Sequence, residues 1–201
     1  MGKTHTDYAS SLNGIGEVFI KMGKYDEALK HHQECLKIQE EVVGKMHKNY
    51  ATSLHNIGRV FREMRKYKEA LKYLQECLNI QVDVLGKTHP NYANSLNNIG
   101  GVFIEMGKYE EALKYLQECL KIREEVLEKT HPDYANSLNN IGGAFIEMGK
   151  YEEALKYFQE CLKIQVDVLG KTHPDYASSL NNIGSLFTNM GKYEKALKHF
   201  F

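Results

Sequence analysis

The sequence predicts an all-α solenoid of stacked helix-turn-helix pairs. Three observations carry that prediction: a 42-residue internal period, two amphipathic helical stripes within each period, and the absence of any alternating strand pattern. Tyr8, Tyr50, Tyr92, Tyr134 and Tyr176 are spaced by 42 residues, as are Cys35, Cys77, Cys119 and Cys161, and Gly16, Gly58, Gly100, Gly142 and Gly184. Four full repeats (8–49, 50–91, 92–133, 134–175) and a partial fifth (176–201) form one array over 1–201. The third and fourth repeats differ at six positions, among them Leu116/Phe158, Arg123/Gln165 and Glu128/Gly170. Such likeness implies nearly equivalent surroundings along the array.

Within one repeat, helix A comes first. Tyr92, Leu96, Ile99 and Phe103 fall at i, i+4, i+7 and i+11, one apolar stripe on a helix that runs to about Met106. Gly107-Lys108 breaks it. Tyr109, Ala112, Leu113, Leu116, Cys119, Leu120, Val126 and Leu127 then make a longer helix B, and Glu110 and Glu111 suit its positive N-terminal end. A Gly-Lys-Thr-His-Pro-Asp connection follows, with Pro90, Pro132 and Pro174 at the start of the next helix A, where a missing N–H costs nothing. Gly100 and its equivalents, at about 1 kcal/mol relative to Ala inside a helix, imply close approach of helix B, and Ala112 serves the same contact. Neither helix can bury its stripe alone, so each pair must stack on its neighbours.

Composition excludes several functions. Lys and Arg number 26 against 26 Asp and Glu, so the chain lacks the basic excess expected of nucleic-acid binding or docking on an anionic membrane. No apolar run approaches the ~18 residues of a spanning helix, and Met1 to Asp7 contain no apolar signal core, so the chain reads as cytoplasmic. The neutrality is local in origin: by repeat the net charge is 0, +3, −3 and −2, with +2 on the partial fifth.

Leu96-Asn97-Asn98-Ile99-Gly100-Gly101-Val102-Phe103, Gly107-Lys108-Tyr109-Glu110-Glu111-Ala112 and Leu116, with Phe158 as its aromatic form, resemble the tetratricopeptide repeat signature over residues 8–201. The 42-residue period is most similar to the repeats of kinesin light chain and of nephrocystin-3-type proteins. Two departures stand out: Leu replaces a large aromatic early in helix A, and no Pro closes helix B. The resemblance implies a right-handed superhelix whose concave groove, lined by helix A, receives an extended peptide or a partner helix. It implies a non-catalytic scaffold, similar to a cargo adaptor. Chaperone-binding relatives hold a C-terminal Asp with a Lys/Arg/Asn clamp. Here Asn13 and Glu17, then Asn56, then Asn94 with Asn98 stand in those places; only the central Asn matches, and that activity is not expected.

The remaining motifs favour structural roles. Equivalent cysteines on successive pairs should lie about 8–10 Å apart, beyond disulfide reach, and read as buried reduced core residues. Gly-Lys-Thr at 86–88 and 170–172 lacks the Gly five residues earlier that a phosphate loop needs, Gln81 and Gln165 standing there. The loop histidines His5, His47, His89, His131 and His173 adjoin helix starts and suit capping or loop packing. His31-His32 reads as a lightly buried surface pair. No metal set, cofactor site or nucleophile-base constellation emerges.

The groove carries the binding expectation. Asn13, His55, Asn97, Asn139 and Asn181 form one column on helix A, and Asn56, Asn98, Asn140 and Asn182 lie beside it; their amides suit an extended backbone, the alternative being that one column tightens the packing between repeats. Asn94 joins this set. In the second repeat His55, Arg59 and Arg62 share one face of helix A, where sibling repeats carry Glu17, Gly101, Gly143 or Ser185, and Ile20, Ile104, Ile146 or Thr188. Arg forks favour carboxylates, so this face is expected to take acidic side chains of a peptide; a solvated charge run is the alternative. A different expectation is a structural solenoid that self-associates end to end through an uncapped C-terminal repeat.

Overall fold

The computed structural model describes residues 5–127 and 129–200. The side chains of His5 and Thr6, and Glu128 and Phe201, lie outside the described residues, as do the first four residues. Ten α-helices and no strand occur among the described residues: α1 His5–Lys21, α2 Tyr25–Val43, α3 Lys48–Glu63, α4 Tyr67–Val84, α5 Pro90–Glu105, α6 Tyr109–Val126, α7 Pro132–Glu147, α8 Tyr151–Leu169, α9 Pro174–Asn189 and α10 Tyr193–Phe200. Odd-numbered helices are the A helices and even-numbered the B helices. The chain forms two compact units, Met1–Val102 and Phe103–Phe201.

Histidine sets the start of α3, α5, α7 and α9. Nδ1 of His47, His89, His131 and His173 accepts the main-chain N–H two residues on, at 3.1 to 3.2 Å, satisfying a donor that the helix cannot satisfy itself. Prolines 90, 132 and 174 follow as first helical residues. The Gly-Lys-Thr segments are helix ends: Gly86 and Gly170 close α4 and α8 with φ of 82° and 78°.

The A-to-B turn is equally local. In the first repeat the N–H of Gly23 donates to Ile20 and that of Lys24 to Phe19, with Gly23 at φ 71°. Gly107, Gly149 and Gly191 repeat this geometry. In the second repeat Arg65 occupies the slot at φ 57°, the one positive-φ non-glycine residue among the described residues.

Gly16, Gly58, Gly142 and Gly184 on the A helices each admit a side chain of the following B helix. A Cβ built on Gly58 would lie 2.6 Å from Leu74 Cγ, and one on Gly142 would lie 2.7 Å from Phe158 Cε1, which is the close approach that the sequence implied. Beside it, Phe61 stacks on Tyr73, Phe103 on Tyr115 and Phe145 on Tyr157, with centroids 5.4 to 5.6 Å apart.

The first repeat corrects the reading of His31-His32 as a surface pair. His32 is fully buried and fills the slot of Leu74 and Phe158, its ring 2.5 Å from where a Gly16 Cβ would stand. His31 stacks on Phe19 at 5.4 Å. The imidazole fills an apolar slot as a flat ring while its Nδ1 hydrogen-bonds Asn13.

All four cysteines are free and buried. Each meets a buried serine of the next A helix, Cys35 with Ser53, Cys77 with Ser95, Cys119 with Ser137 and Cys161 with Ser179, at 3.4 to 3.6 Å. Burial pushes the Cys35, Cys77 and Cys161 thiols up, Cys77 to about 11, so these three remain protonated at neutral pH.

Candidate functional site on the A helices

Helices α1, α3 and α5 bring the first unit's expected contacts together. Asn13 Oδ1 accepts from Asn56 Nδ2 at 3.5 Å and from His32 Nδ1 at 3.1 Å. One repeat on, His55 Nε2 accepts from Asn98 Nδ2 at 3.2 Å, and Asn98 also donates to the Asn94 carbonyl at 3.0 Å. His55 Nδ1 then donates to Ser95 Oγ at 3.2 Å. In the second unit Asn182 Nδ2 donates to Asn139 Oδ1 at 2.7 Å.

These bonds share one rule. An acceptor in the first column takes a proton from the second column of the following repeat, 43 residues later. The columns therefore stitch α1 to α3, α3 to α5 and α7 to α9. Their members, with Asn97 and Asn140, remain half-buried, and Asn181 is exposed. A carboxamide has two N–H groups and two oxygen lone pairs, so one bond does not exhaust it.

The arginines are held as well. Arg59 grips Glu17 with both terminal guanidinium nitrogens, at 3.0 and 3.5 Å, and both side chains are 37% exposed. The Arg62 guanidinium lies across Gly101, where a Cβ would come within 2.9 Å of Cζ. Burial, then the nearby Arg59 charge, pushes His55 down to about 4. His55 is thus neutral at pH 7 and joins this face as a fixed hydrogen-bonding ring, while the two arginines carry the positive charge.

Two columns were missed in the sequence although both repeat every 42 residues. The serines that receive the cysteines were one. Gln39, Gln81 and Gln165 were the other: each is buried with Oε1 unpartnered. Arg123 replaces them in the third repeat, donating at 2.7 Å to both the Asp133 carbonyl and Ser137 Oγ. Among the described residues, no group of three or more His, Cys, Asp or Glu is placed to hold a metal, and no helix is long and apolar enough to cross a membrane.

Paired helices with a closing glycine, a left-handed turn residue and repeat-spaced cross-links match a known sequence pattern. A tetratricopeptide repeat family model matches residues 7–81, 62–125, 92–165 and 133–200. The chain belongs to the tetratricopeptide repeat family. As a tetratricopeptide repeat protein it is similar in structure to the nearly identical TPR-like repeats of a kinesin light chain from Podosopora anserina, at TM-score 0.84 and 21% identity, covering 98% of this chain and 93% of that one. BtubC (BKLC) from P. vanneervenii aligns at TM-score 0.83 and 18% identity, over 94% of this chain and 76% of that chain. A Rap protein complexed with competence and sporulation factor aligns at 0.81 and 18%, over 98% of this chain and 53% of that chain. These likenesses show the fold. No curated protein sequence matches. Tetratricopeptide repeats typically serve as protein-interaction scaffolds and are generally non-catalytic.

Proposed function

We propose that this chain is a cytoplasmic protein-binding scaffold of adaptor type, and that its A helices take an extended, acidic peptide. The observation that carries the reading is the half-buried amide ladder, already fixed by its neighbours. Side chains held in place before binding lose less rotamer freedom when a peptide backbone arrives. Asn13, Asn56, Asn94, Asn97, Asn98, Asn139, Asn140 and Asn181 supply the polar contacts, and His55 fixes Asn98. Arg59 and Arg62 supply the charge. A peptide carboxylate competes with Glu17 for Arg59 and approaches Arg62 above Gly101, so binding is salt-sensitive.

The test is an array of acidic peptides with sequence-scrambled and basic counterparts, probed with wild type and with Arg59→Glu/Arg62→Glu. The acidic set should bind wild type and lose at least about tenfold with the double variant, a loss ordinary for charged contacts. Equal binding by both proteins contradicts the proposal.

A second reading has its own observation. Ile15 and Val18 on α1 are 42% and 56% exposed, whereas their equivalents Ile57 and Val60 are fully buried, and Leu197 on α10 is 54% exposed. Such faces suit end-to-end association, with α10 of one copy against α1 of another. Light scattering over a concentration range should then show growth that Ile15→Glu/Val18→Glu abolishes; a monomer at every concentration removes this reading.

A further inference from the structure

We infer that the cleft between α3, α4 and α5 is a pocket for a neutral N–H donor, a primary carboxamide or urea-type group. It shares His55 and Asn94 with the peptide contacts but does not depend on that reading. Its volume is about 90 Å³, with Thr52 and Asn91 exposed at the mouth, His55 and Asn94 half-buried in the walls, and Gln81 only 4% exposed. That is several times the ~15 Å³ that one water molecule needs. Gln81 Oε1 is buried without a hydrogen-bond partner. A buried acceptor in that state favours a ligand that donates.

The chain supplies its own template for the ligand. One repeat after Gln81 stands Arg123, and its guanidinium donates to the Asp133 carbonyl and Ser137 Oγ at 2.7 Å each. The slot is thus shaped for a planar N–H fork, and in the second repeat the shorter Gln81 leaves it to an outside group. The charge differs, however. Asn91 replaces Asp133, no carboxylate lines the cleft, His55 is neutral with both ring nitrogens engaged, and the Arg59 charge acts on the same ring. A cation would be desolvated there without a counter-charge, so the fitting fork is neutral.

NMR titration of the whole chain tests this, with acetamide, methylguanidinium and acetate as probes and the Gln81 amide and His55 ring as reporters. A fragment of four heavy atoms should bind with a Kd of about millimolar. Acetamide should shift both reporters saturably, with methylguanidinium weaker and acetate inert. Gln81→Arg, which copies a residue that the fold accepts one repeat on, should abolish saturation, read on His55. Gln81→Leu should do the same. Saturation that survives both variants, a methylguanidinium response equal to or stronger than that of acetamide, or no saturable response to acetamide overturns the inference.

Discussion

Arg59 grips Glu17 from the same place on the next helix A, 42 residues later, with nitrogens 3.0 and 3.5 Å from the two carboxylate oxygens. The pair is specific to this junction, because the later siblings are Gly101, Gly143 and Ser185. At 37% exposure on both sides, solvent screens it. A double-mutant cycle with Glu17→Gln and Arg59→Gln should give a coupling of only about 0.5 kcal/mol, shrinking with added salt. The same Glu17→Gln change should tighten acidic-peptide binding, since it removes the competing carboxylate; unchanged or weaker binding would contradict that role.

Adjacent glycines should respond with opposite sign. Gly142 faces Phe158, which is buried and cannot retreat, so Gly142→Ala should cost about 1–3 kcal/mol. Gly143 has nothing within 4 Å of its would-be Cβ, and Gly143→Ala should gain about 0.5–1 kcal/mol from helix propensity. Denaturant midpoints of the two variants decide it.

Much of this was legible in the sequence because repetition multiplies every signal. The period, the two stripes, the proline starts and the close-approach glycine each recur at 42 residues, and the helices follow from them. The site was legible as a set of residues but less so as a set of bonds. Asn56 and Asn98 look like free groove amides until a preceding repeat is placed beside them; only three-dimensional stacking shows that they donate to Asn13 and His55. His32 was obscured for a related reason: residue type pointed to the surface, while its register, shared with Leu74 and Phe158, pointed to the core.

Arg65 adopts the left-handed geometry that Gly23 and Gly107 adopt in sibling turns. A side chain there is strained by about 1–2 kcal/mol, partly offset by the greater freedom of glycine in the unfolded chain. Arg65→Gly should therefore stabilise by roughly 0.5–1 kcal/mol, visible as a higher melting temperature.

Acid should weaken the N-terminal unit. Burial lowers His55 to about 4 and lowers His32 as well, so both imidazoles are neutral when folded. The unfolded chain binds more protons below its ordinary value of about 6.5, so stability is complete above that pH and declines as pH falls toward 4. For His55 alone the loss by pH 5 is on the order of 2 kcal/mol. Urea midpoints measured between pH 7.5 and 5 should fall for wild type and fall less for His55→Asn, the residue found at Asn97 and Asn139.

The proposed function stands or falls on whether partners dock on the A helices. Chemical-shift mapping of an array-selected acidic peptide on the labelled chain tests it most directly. Perturbations should centre on Asn56, Arg59, Arg62 and Asn98 and be lost in Arg59→Glu/Arg62→Glu. Perturbations confined to the B helices, or unchanged in that variant, would contradict it.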